Sequence, residues 1–307
     1  MAAVSQPRRR PLDANRRRRR RRSRLAGLAF MLPGLALVGL VLAYPLVQLV
    51  HLSLIQSLGD LSIYVGLDNF RVVLDDPVFQ NAVRHNIYLL ACAPAMVVVS
   101  FVLAVLLSEQ RRARQFFQTA LFVPYVIAIP VIGIVFSNML TKQGALNTTL
   151  GDLGLGFLQQ DWLGDEQLAL VSLGLVIIWR ESSFGILLFL ARMLSIAPEL
   201  YEAARLDGAR WWQLHRHITI PEVSRVAALY FTISIITITA WVFAYVFVMT
   251  NGGPGNATIT ADLYVYQQAF GSGQQNVASA AAILLFALTV IGLALVAVSA
   301  RVVRVIR

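Results

Sequence analysis

Two neighbouring residues of opposite charge, Arg180 and Glu181, lie inside the stretch 167–191, which holds no other charged residue. A charged side chain on the lipid face of a membrane helix costs at least a few kcal/mol, so both groups should face a helix-bundle interior or a water-filled cavity. Neighbours in sequence point about 100° apart on a helix and need not pair with each other. Two roles are open: a structural ion pair with another helix, with Arg180 snorkelling to the headgroups as a variant, or contact with a solute on its pathway.

A second polar cluster follows, between residues 197 and 221. Pro198 suits the first position of a helix, and the helix dipole favours an acid such as Glu202 near that end. Gly208 can take the left-handed conformation that ends a helix, so the sequence predicts a short helix of about ten residues. The next segment, 211–217, places tryptophans at headgroup depth, and Pro221 begins another apolar run.

Other reactive residues are few. The one cysteine, Cys92, lies in an apolar run, which excludes an internal disulfide or a cysteine-rich metal site. The only lysine, Lys142, is not part of the Gly-x4-Gly-Lys-Ser/Thr pattern that binds nucleotide phosphates, so we expect neither an ATPase nor a cofactor in this chain. The histidines form no metal-site motif; they are His51, His85, His215 and His217.

The composition indicates that membrane-spanning helices position these residues. Of the 307 residues, 57% are hydrophobic and 14% are charged, and the mean hydropathy is +0.67, which excludes an ordinary soluble enzyme. Each long uncharged window can hold one helix of about 20 residues. The predicted fold is an all-α polytopic membrane protein with six spans, near residues 26–53, 86–107, 116–140, 168–191, 224–249 and 277–300.

The arginines predict the orientation, because cytoplasmic segments keep Lys and Arg. Of the 26 basic residues, 22 fall on the side that holds both termini and three on the opposite side. Both termini are therefore predicted to be cytoplasmic, with the loops 54–81, 141–167 and 250–276 outside. The basic tail, 1–25, would hold the first span at the anionic leaflet, with a nucleic-acid-binding tail as the alternative. The first apolar run is too long for a cleaved signal peptide.

The loop 192–222 resembles the EAA loop of bacterial ABC importer permeases. The matching sequence is Glu202-Ala203-Ala204, three residues, Gly208, nine residues, Ile218, one residue and Ile220-Pro221, with Ile220 in place of the usual Leu. Asp207 and Ala209 resemble the carbohydrate-uptake branch of that family, which also imports glycerol-phosphate-type solutes. Further landmarks of this branch are Tyr44-Pro45, Gly66-Leu67-Asp68-Asn69-Phe70, Asp76-Pro77 with Phe79, and Gly252-Gly253-Pro254-Gly255.

This resemblance implies that residues 26–307 form the permease domain of an inner-membrane assembly. The implied partners are a second homologous permease, two subunits that bind ATP and magnesium, and an extracytoplasmic solute-binding protein. In that family the EAA loop inserts into a cleft of the ATPase, so that closure around ATP moves the spanning helices. The coupling residues implied are Glu202, Ala203, Ala204, Asp207 and Gly208. An interfacial helix without a partner is the alternative.

The resemblance also implies where a sugar or sugar-like solute would pass. In carbohydrate-uptake permeases the stretch before the EAA glutamate often contributes to the solute site, and Trp179 resembles an aromatic residue found there. An aromatic face suits the C–H surface of a sugar ring, and polar groups suit its hydroxyls. The candidate pathway residues are Trp179, Arg180, Glu181 and Phe184 in the fourth span, and Ser234, Thr237 and Trp241 in the fifth. Helix packing through small polar residues is the alternative for the fifth span.

Another class of protein fits the same charged pair: an ion-coupled secondary carrier or an intramembrane enzyme that uses Arg180 and Glu181. No nucleophile motif supports the enzyme, and the sequence shows no convincing repeat of the kind that is typical of carriers. A glucoside, a disaccharide, an oligosaccharide and a glycerol phosphodiester all fit the same loops. The sequence therefore leaves open both the solute and which permease subunit binds it.

Overall fold

The computed structural model describes residues 30–58, 61–110 and 113–305. The predicted basic tail, 1–25, and the first residues of the predicted span 26–53 lie outside the described residues. The chain divides into two compact units after Leu52. The described residues are mostly helical, which agrees with the predicted all-α membrane class.

The first unit contributes one described helix, Phe30–Ser53 (α1), which is 24 residues long. Within it, Gly39–Ala43 form a π-helical turn. Its apolar side chains are exposed from Phe30 to Val50. A continuous exposed apolar surface of this length suits hydrocarbon and not water, as a membrane span requires.

A two-stranded antiparallel hairpin opens the second unit, with Ile55–Leu58 (β1) paired to Leu61–Tyr64 (β2). The charge and hydropathy pattern did not predict it, because strands this short show little periodicity. The buried amide of Asn69 holds the hairpin in place, donating to the carbonyls of Ser53 at 2.9 Å and Ile55 at 2.8 Å. The landmark asparagine thus has a structural role.

The helix Asp68–Asp75 (α2) leads into a long helix that is interrupted only at Ala91, with the halves Pro77–Leu90 (α3) and Cys92–Glu109 (α4). Asp76 caps α3, since its Oδ1 accepts the N–H of Val78 at 2.8 Å. The predicted span began near residue 86, whereas the helix begins at Pro77. The cap starts a helix well before the uncharged part of the sequence.

The third predicted span, 116–140, consists of two helices, Arg114–Val126 (α5) and Ile129–Met139 (α6), which meet at 95°. Pro130 lies in the first turn of α6, and Ile127 has an extended backbone. Because proline has no N–H to donate to the carbonyl four residues earlier, here that of Val126, and its ring clashes with that carbonyl, the helix ends at this point. The carbonyls at the end of α5 therefore need other partners.

A single long helix, Ala169–Leu194 (α8), lies at the centre of the second unit and packs against α4 and α5 and against two later helices, Ile220–Ala240 (α11) and Val242–Met249 (α12). Its buried residues include Leu173, Ile177 and Phe189. The remaining helices are Ala145–Asp152 (α7), Pro198–Leu206 (α9), Trp211–Leu214 (α10), Ile220–Ala240 (α11), Val242–Met249 (α12), Ala261–Tyr266 (α13) and Gln275–Val305 (α14). A π-helical turn, His215–Thr219, joins α10 to α11, so that Trp211–Ala240 is one continuous helix.

Among the described residues, five helices are long and apolar enough to cross a membrane, and the bent pair α5 and α6 raises the number to six if it counts as one span. The fifth predicted span is also divided, because α11 ends at Ala240 and α12 begins at Val242. The break falls at Trp241, one of the predicted pathway residues.

Candidate functional site

The predicted coupling segment forms a helix, a glycine turn and the beginning of a second helix, which continues through a π-helical turn at His215–Thr219 into α11. Pro198 occupies the first turn of α9, and Gly208 after its end has a φ of +82°. The N–H of Ala209 donates to the carbonyl of Ala204 at 2.9 Å, and the N–H of Gly208 donates to that of Arg205 at 3.0 Å. These two bonds form a Schellman motif, which requires a left-handed residue and so favours glycine.

The face that the sequence assigns to coupling is open to solvent. Glu202, Ala203, Asp207 and Gly208 are exposed, and Ala204 is half-buried. At the end of α9, Leu206 is 89% exposed. A concavity of about 330 Å³ lies between α9 and the next segment, lined by Ala204, Asp207, Gly208, Ala209, Gln213, Leu214, His217 and Ile218. The segment can therefore contact a partner without rearranging.

An ion pair joins the two ends of the loop 192–222. The guanidinium of Arg192 pairs with the carboxylate of Glu222, and its Nε donates to the Glu222 carbonyl at 3.1 Å. Another nitrogen of the same guanidinium donates to Ser195 Oγ at 2.8 Å. The loop therefore begins and ends at one point, which fixes α9 relative to the start of α11.

Inside the helix bundle, Arg180 and Glu181 form an ion pair with each other. Both are 8% exposed, and Arg180 NH1 lies 2.5 Å from Glu181 Oε1. The hydroxyl of Tyr245 in α12 donates to the same Oε1 at 2.6 Å, while Tyr230 in α11 donates to the Glu181 carbonyl at 2.9 Å. Neighbouring residues pair here because both long side chains turn inward, towards the two tyrosines.

The other end of the Arg180 guanidinium reaches the bend between α5 and α6. Its NH2 donates to the carbonyls of Tyr125 and Ile127, each at 3.0 Å, and the guanidinium lies 5.1 Å from the centre of the Tyr125 ring. These carbonyls are among the groups left without helical donors where α5 ends. Arg180 therefore holds the bend of the third predicted span, while its Nε has no hydrogen-bond partner.

The remaining pathway candidates fall into two groups. Phe184 stacks on Tyr125 with ring centres 5.1 Å apart, and so lies beside the Arg180 pair. Trp179, 46% exposed, makes an edge contact with Phe136 instead. The structure brings Arg180, Glu181 and Phe184 together around Tyr125, a residue that the sequence reasoning missed because it lies in a different predicted span.

The three candidates of the fifth predicted span have different surroundings. Ser234 is 2% exposed and its hydroxyl donates to the Tyr230 carbonyl of its own helix at 2.9 Å. Thr237 is half-buried, and Trp241, at the break that follows α11, is 62% exposed. Ser234 thus has the internal hydrogen bond of a packing residue, whereas Trp241 presents an open aromatic surface.

A known family covers most of this fold. The family model for binding-protein-dependent transport system inner membrane components matches residues 73–305. The chain belongs to this family. The match includes the long helix α8, the loop 192–222 and the buried Arg180 pair, so the family accounts for both regions described above.

Curated relatives and a solved structure agree with this assignment. The chain is 30% identical over 272 residues to a probable ABC transporter permease of Pyrococcus horikoshii, which covers 86% of this chain and 92% of the relative. It is 31% identical over 248 residues to the lactose transport system permease LacF of Rhizobium radiobacter, which covers 80% and 83%. A bacterial ABC transporter that imports the polysaccharide alginate has the same fold, with a TM-score of 0.81 at 22% identity over 93% of this chain and 98% of that one.

These comparisons confirm the resemblance to ABC importer permeases that the EAA-type spacing indicated. The permease is an inner-membrane component of a transport system and not its catalytic subunit. Its membrane location follows from the family and from the apolar helices together.

Proposed function

We propose that this permease translocates a sugar or sugar-like solute that an extracytoplasmic binding protein delivers. It would pair with a second homologous permease above two ATP-binding subunits, which hold ATP and magnesium. The names of several relatives support the solute class, among them permeases for lactose, diacetylchitobiose and arabinooligosaccharides. A related transporter structure includes a periplasmic protein bound to an alginate pentasaccharide, which supports the binding-protein partner.

The proposed topology has six spans and two cytoplasmic termini. The bent pair α5 and α6 counts as one span, as do α3 with α4 and α11 with α12. With this count the loop 192–222 and the start of α5 at Arg114 share the cytoplasmic side, which carries 22 of the 26 basic residues. Lipid faces α1, whose side chains are mostly apolar from Phe30 to Val47.

Coupling to the ATPase is assigned to α9 and its glycine turn, through Glu202, Ala203, Ala204, Asp207 and Gly208. The observation that carries this assignment is the exposed helix that ends in a left-handed glycine, while Arg192 and Glu222 anchor its loop. The alanines leave room for close approach, and the acids can pair with basic groups of the partner. A rigid, exposed helix can transmit a displacement to α8 and α11, which its loop connects.

For the solute pathway, the exposed rings of Trp179 and Trp241 are proposed to contact the sugar. Arg180, Glu181 and Phe184 would form the wall behind them, and Thr237 would add a hydroxyl. Ser234 is assigned to packing because its hydroxyl bonds its own helix. Trp179→Ala is expected to raise the KM for solute uptake with complex yield unchanged, while Leu175→Ala, at an exposed position of the same helix, serves as control.

The deciding experiment is reconstitution of the assembled complex with its binding protein. Uptake should require ATP, and solute with binding protein should stimulate ATP hydrolysis.

Gly208→Val should abolish most of this stimulation, because a β-branched residue disfavours a positive φ. Gly273→Val is a matched control, since Gly273 also has a positive φ, +68°, and open space around it but lies outside the coupling loop. ATP-independent uptake driven by an ion gradient would instead indicate a secondary carrier.

A further inference from the structure

We propose that Glu109, at the end of α4, is a positioning residue for coupling, acting through a chain of side-chain hydrogen bonds that ends on α9. This inference rests on the proposed coupling function and adds a residue outside the EAA-type loop. Glu109 precedes the connection to α5 and is separated from His215 by 106 positions in sequence. Neither the spacing of residues in the sequence nor the hydropathy pattern indicates a contact between Glu109 and His215.

The chain runs through four side chains. The Tyr201 hydroxyl in α9 lies 2.9 Å from Thr219 Oγ1, which lies 3.0 Å from His215 Nδ1. The other ring nitrogen, His215 Nε2, lies 3.2 Å from Glu109 Oε1. Trp211, at the start of α10, donates its Nε1–H to the same carboxylate oxygen. The carboxylate of Glu109, at the end of a spanning helix, thus contacts two side chains, Trp211 and His215, of the segment that follows the glycine turn.

The donors and acceptors of this chain fit a single direction. Tyr201 can donate to Thr219, Thr219 to His215 Nδ1, and His215 Nε2–H to Glu109, so each hydrogen is donated once and no proton is duplicated. Thr219 is 1% exposed and His215 is 7% exposed, so water does not compete in the middle of the chain, whereas the Glu109 side chain at its end is 44% exposed. Buried hydrogen-bond networks in which every member is satisfied hold their members in one arrangement.

The position of the chain indicates what it does. Tyr201 is next to Glu202, the first acid of the EAA-type sequence, while Glu109 belongs to α4, which packs against α8 along the bundle. A displacement of α9 is therefore transmitted to α4 through side chains, in addition to the backbone connections to α8 and α11. The Trp211 and His215 rings, 4.4 Å apart, brace the same junction.

The test compares Tyr201→Phe, Glu109→Met, which removes the acceptor at nearly the same side-chain length, and the double variant in the reconstituted complex, with Ser108→Ala as control. Ser108 neighbours Glu109, but its hydroxyl bonds only the Val105 carbonyl of its own helix. Each single variant should lower solute-stimulated ATP hydrolysis by about fivefold or more, the lower end of coupling between sites, while basal hydrolysis changes by less than twofold. Because one break already interrupts the chain, the double variant should be no worse than the poorer single one.

Unchanged stimulation in both single variants would overturn the inference, and so would losses that multiply in the double variant. If Glu109→Met lowers the yield of complex, Thr219→Val takes its place in the comparison. A wild-type complex without any solute-stimulated hydrolysis would refute the proposed function instead, so the two failures are distinguishable.

Discussion

The coupling loop and the buried pair differ in how their polar groups are satisfied. In the loop, Gly208 and Glu202 occupy positions set by local helix chemistry and are exposed, which leaves them accessible to the proposed ATPase subunit. In the bundle, Arg180 and Glu181 have partners within the chain, and these come from α5, α11 and α12. The contrast shows that exposed polar residues of this permease are available to other proteins, whereas its buried charges first meet structural needs of the bundle.

The contrast between the coupling loop and the buried pair does not hold if the coupling loop lies on the same side of the membrane as the predicted outer loops, such as 54–81 and 250–276. With Cys92 replaced by serine, an impermeant thiol reagent should label a cysteine at Ser57 or Ser272 in intact cells and should not label one at Gln110. The charge asymmetry predicts this all-or-none difference. All three positions are exposed, so accessibility within the chain does not bias the test. Labelling of a cysteine at residue 110 alone would show that the orientation is opposite to the predicted one.

A large effect is expected from Arg180→Gln. The change leaves the Glu181 carboxylate and two carbonyls at the α5 bend without their cationic donor, and removing one partner of a buried pair typically costs about 3–5 kcal/mol. The yield of detergent-stable complex should fall. Removing both charges, in Arg180→Met with Glu181→Leu, should recover much of the yield.

Transport measured on the double variant separates the two roles of the pair. Normal yield with lost uptake would place Arg180 or Glu181 on the solute pathway as well. Normal yield with Arg180→Gln alone would contradict the assignment of this residue to the bend.

A graded effect is expected at Gly208. Left-handed backbone costs residues with a Cβ about 1–2 kcal/mol, and asparagine tolerates it better than others. Solute-stimulated ATP hydrolysis should therefore decrease in the order Gly, Asn, Ala, Val at this position. Complex yield should stay constant, because no heavy atom lies within 4 Å of a Cβ built there. Equal activity in all four complexes would remove the turn from the coupling mechanism.

The smallest effect concerns Asp262, a buried acid that is less well paired than Glu181. Burial raises its pKa above the usual value of 3.8, although Thr260 and the Leu263 N–H partly offset this, and its Oδ2 has no hydrogen-bond partner. A raised pKa means that the stability contributed by the protonated form is lost as the pH rises from about 4 upwards. Asp262→Asn should therefore have a slightly higher melting temperature than the wild type at neutral pH. The difference between the two melting temperatures should become smaller under acidic conditions. A lower melting temperature at pH 7 would contradict this.

Much of the fold could be predicted from hydropathy, and the turn at Gly208 from local chemistry. The proline at residue 130 was a visible signal for the 95° bend, but a hydropathy window records length and not direction. The start of the helix that holds the second predicted span was not predicted, because the polar residues Arg84 and His85 ended the uncharged window, whereas the Asp76 cap determines where the helix begins.

The site was harder to predict because its contacts are distant in sequence. That Arg180 must be buried follows from its surroundings, but its partners are carbonyl groups that only a broken helix exposes, 53 and 55 positions earlier in the chain. Any residue can supply a backbone carbonyl, so the residue types in the sequence cannot show which carbonyls accept these hydrogen bonds. Glu109 likewise looked like an ordinary charged residue at a helix end.

The ion pair between Arg192 and Glu222 makes the intervening segment a closed ring, which restricts the lengths that this segment can have. One extra residue between His215 and Glu222 cannot be absorbed by a shift of either end. Because Trp211–Ala240 is one continuous helix, the insertion would turn the side chains before it by about 100° relative to α11 and move His215 away from Glu109. Insertions and deletions in this ring should therefore be tolerated far less than substitutions at its exposed positions.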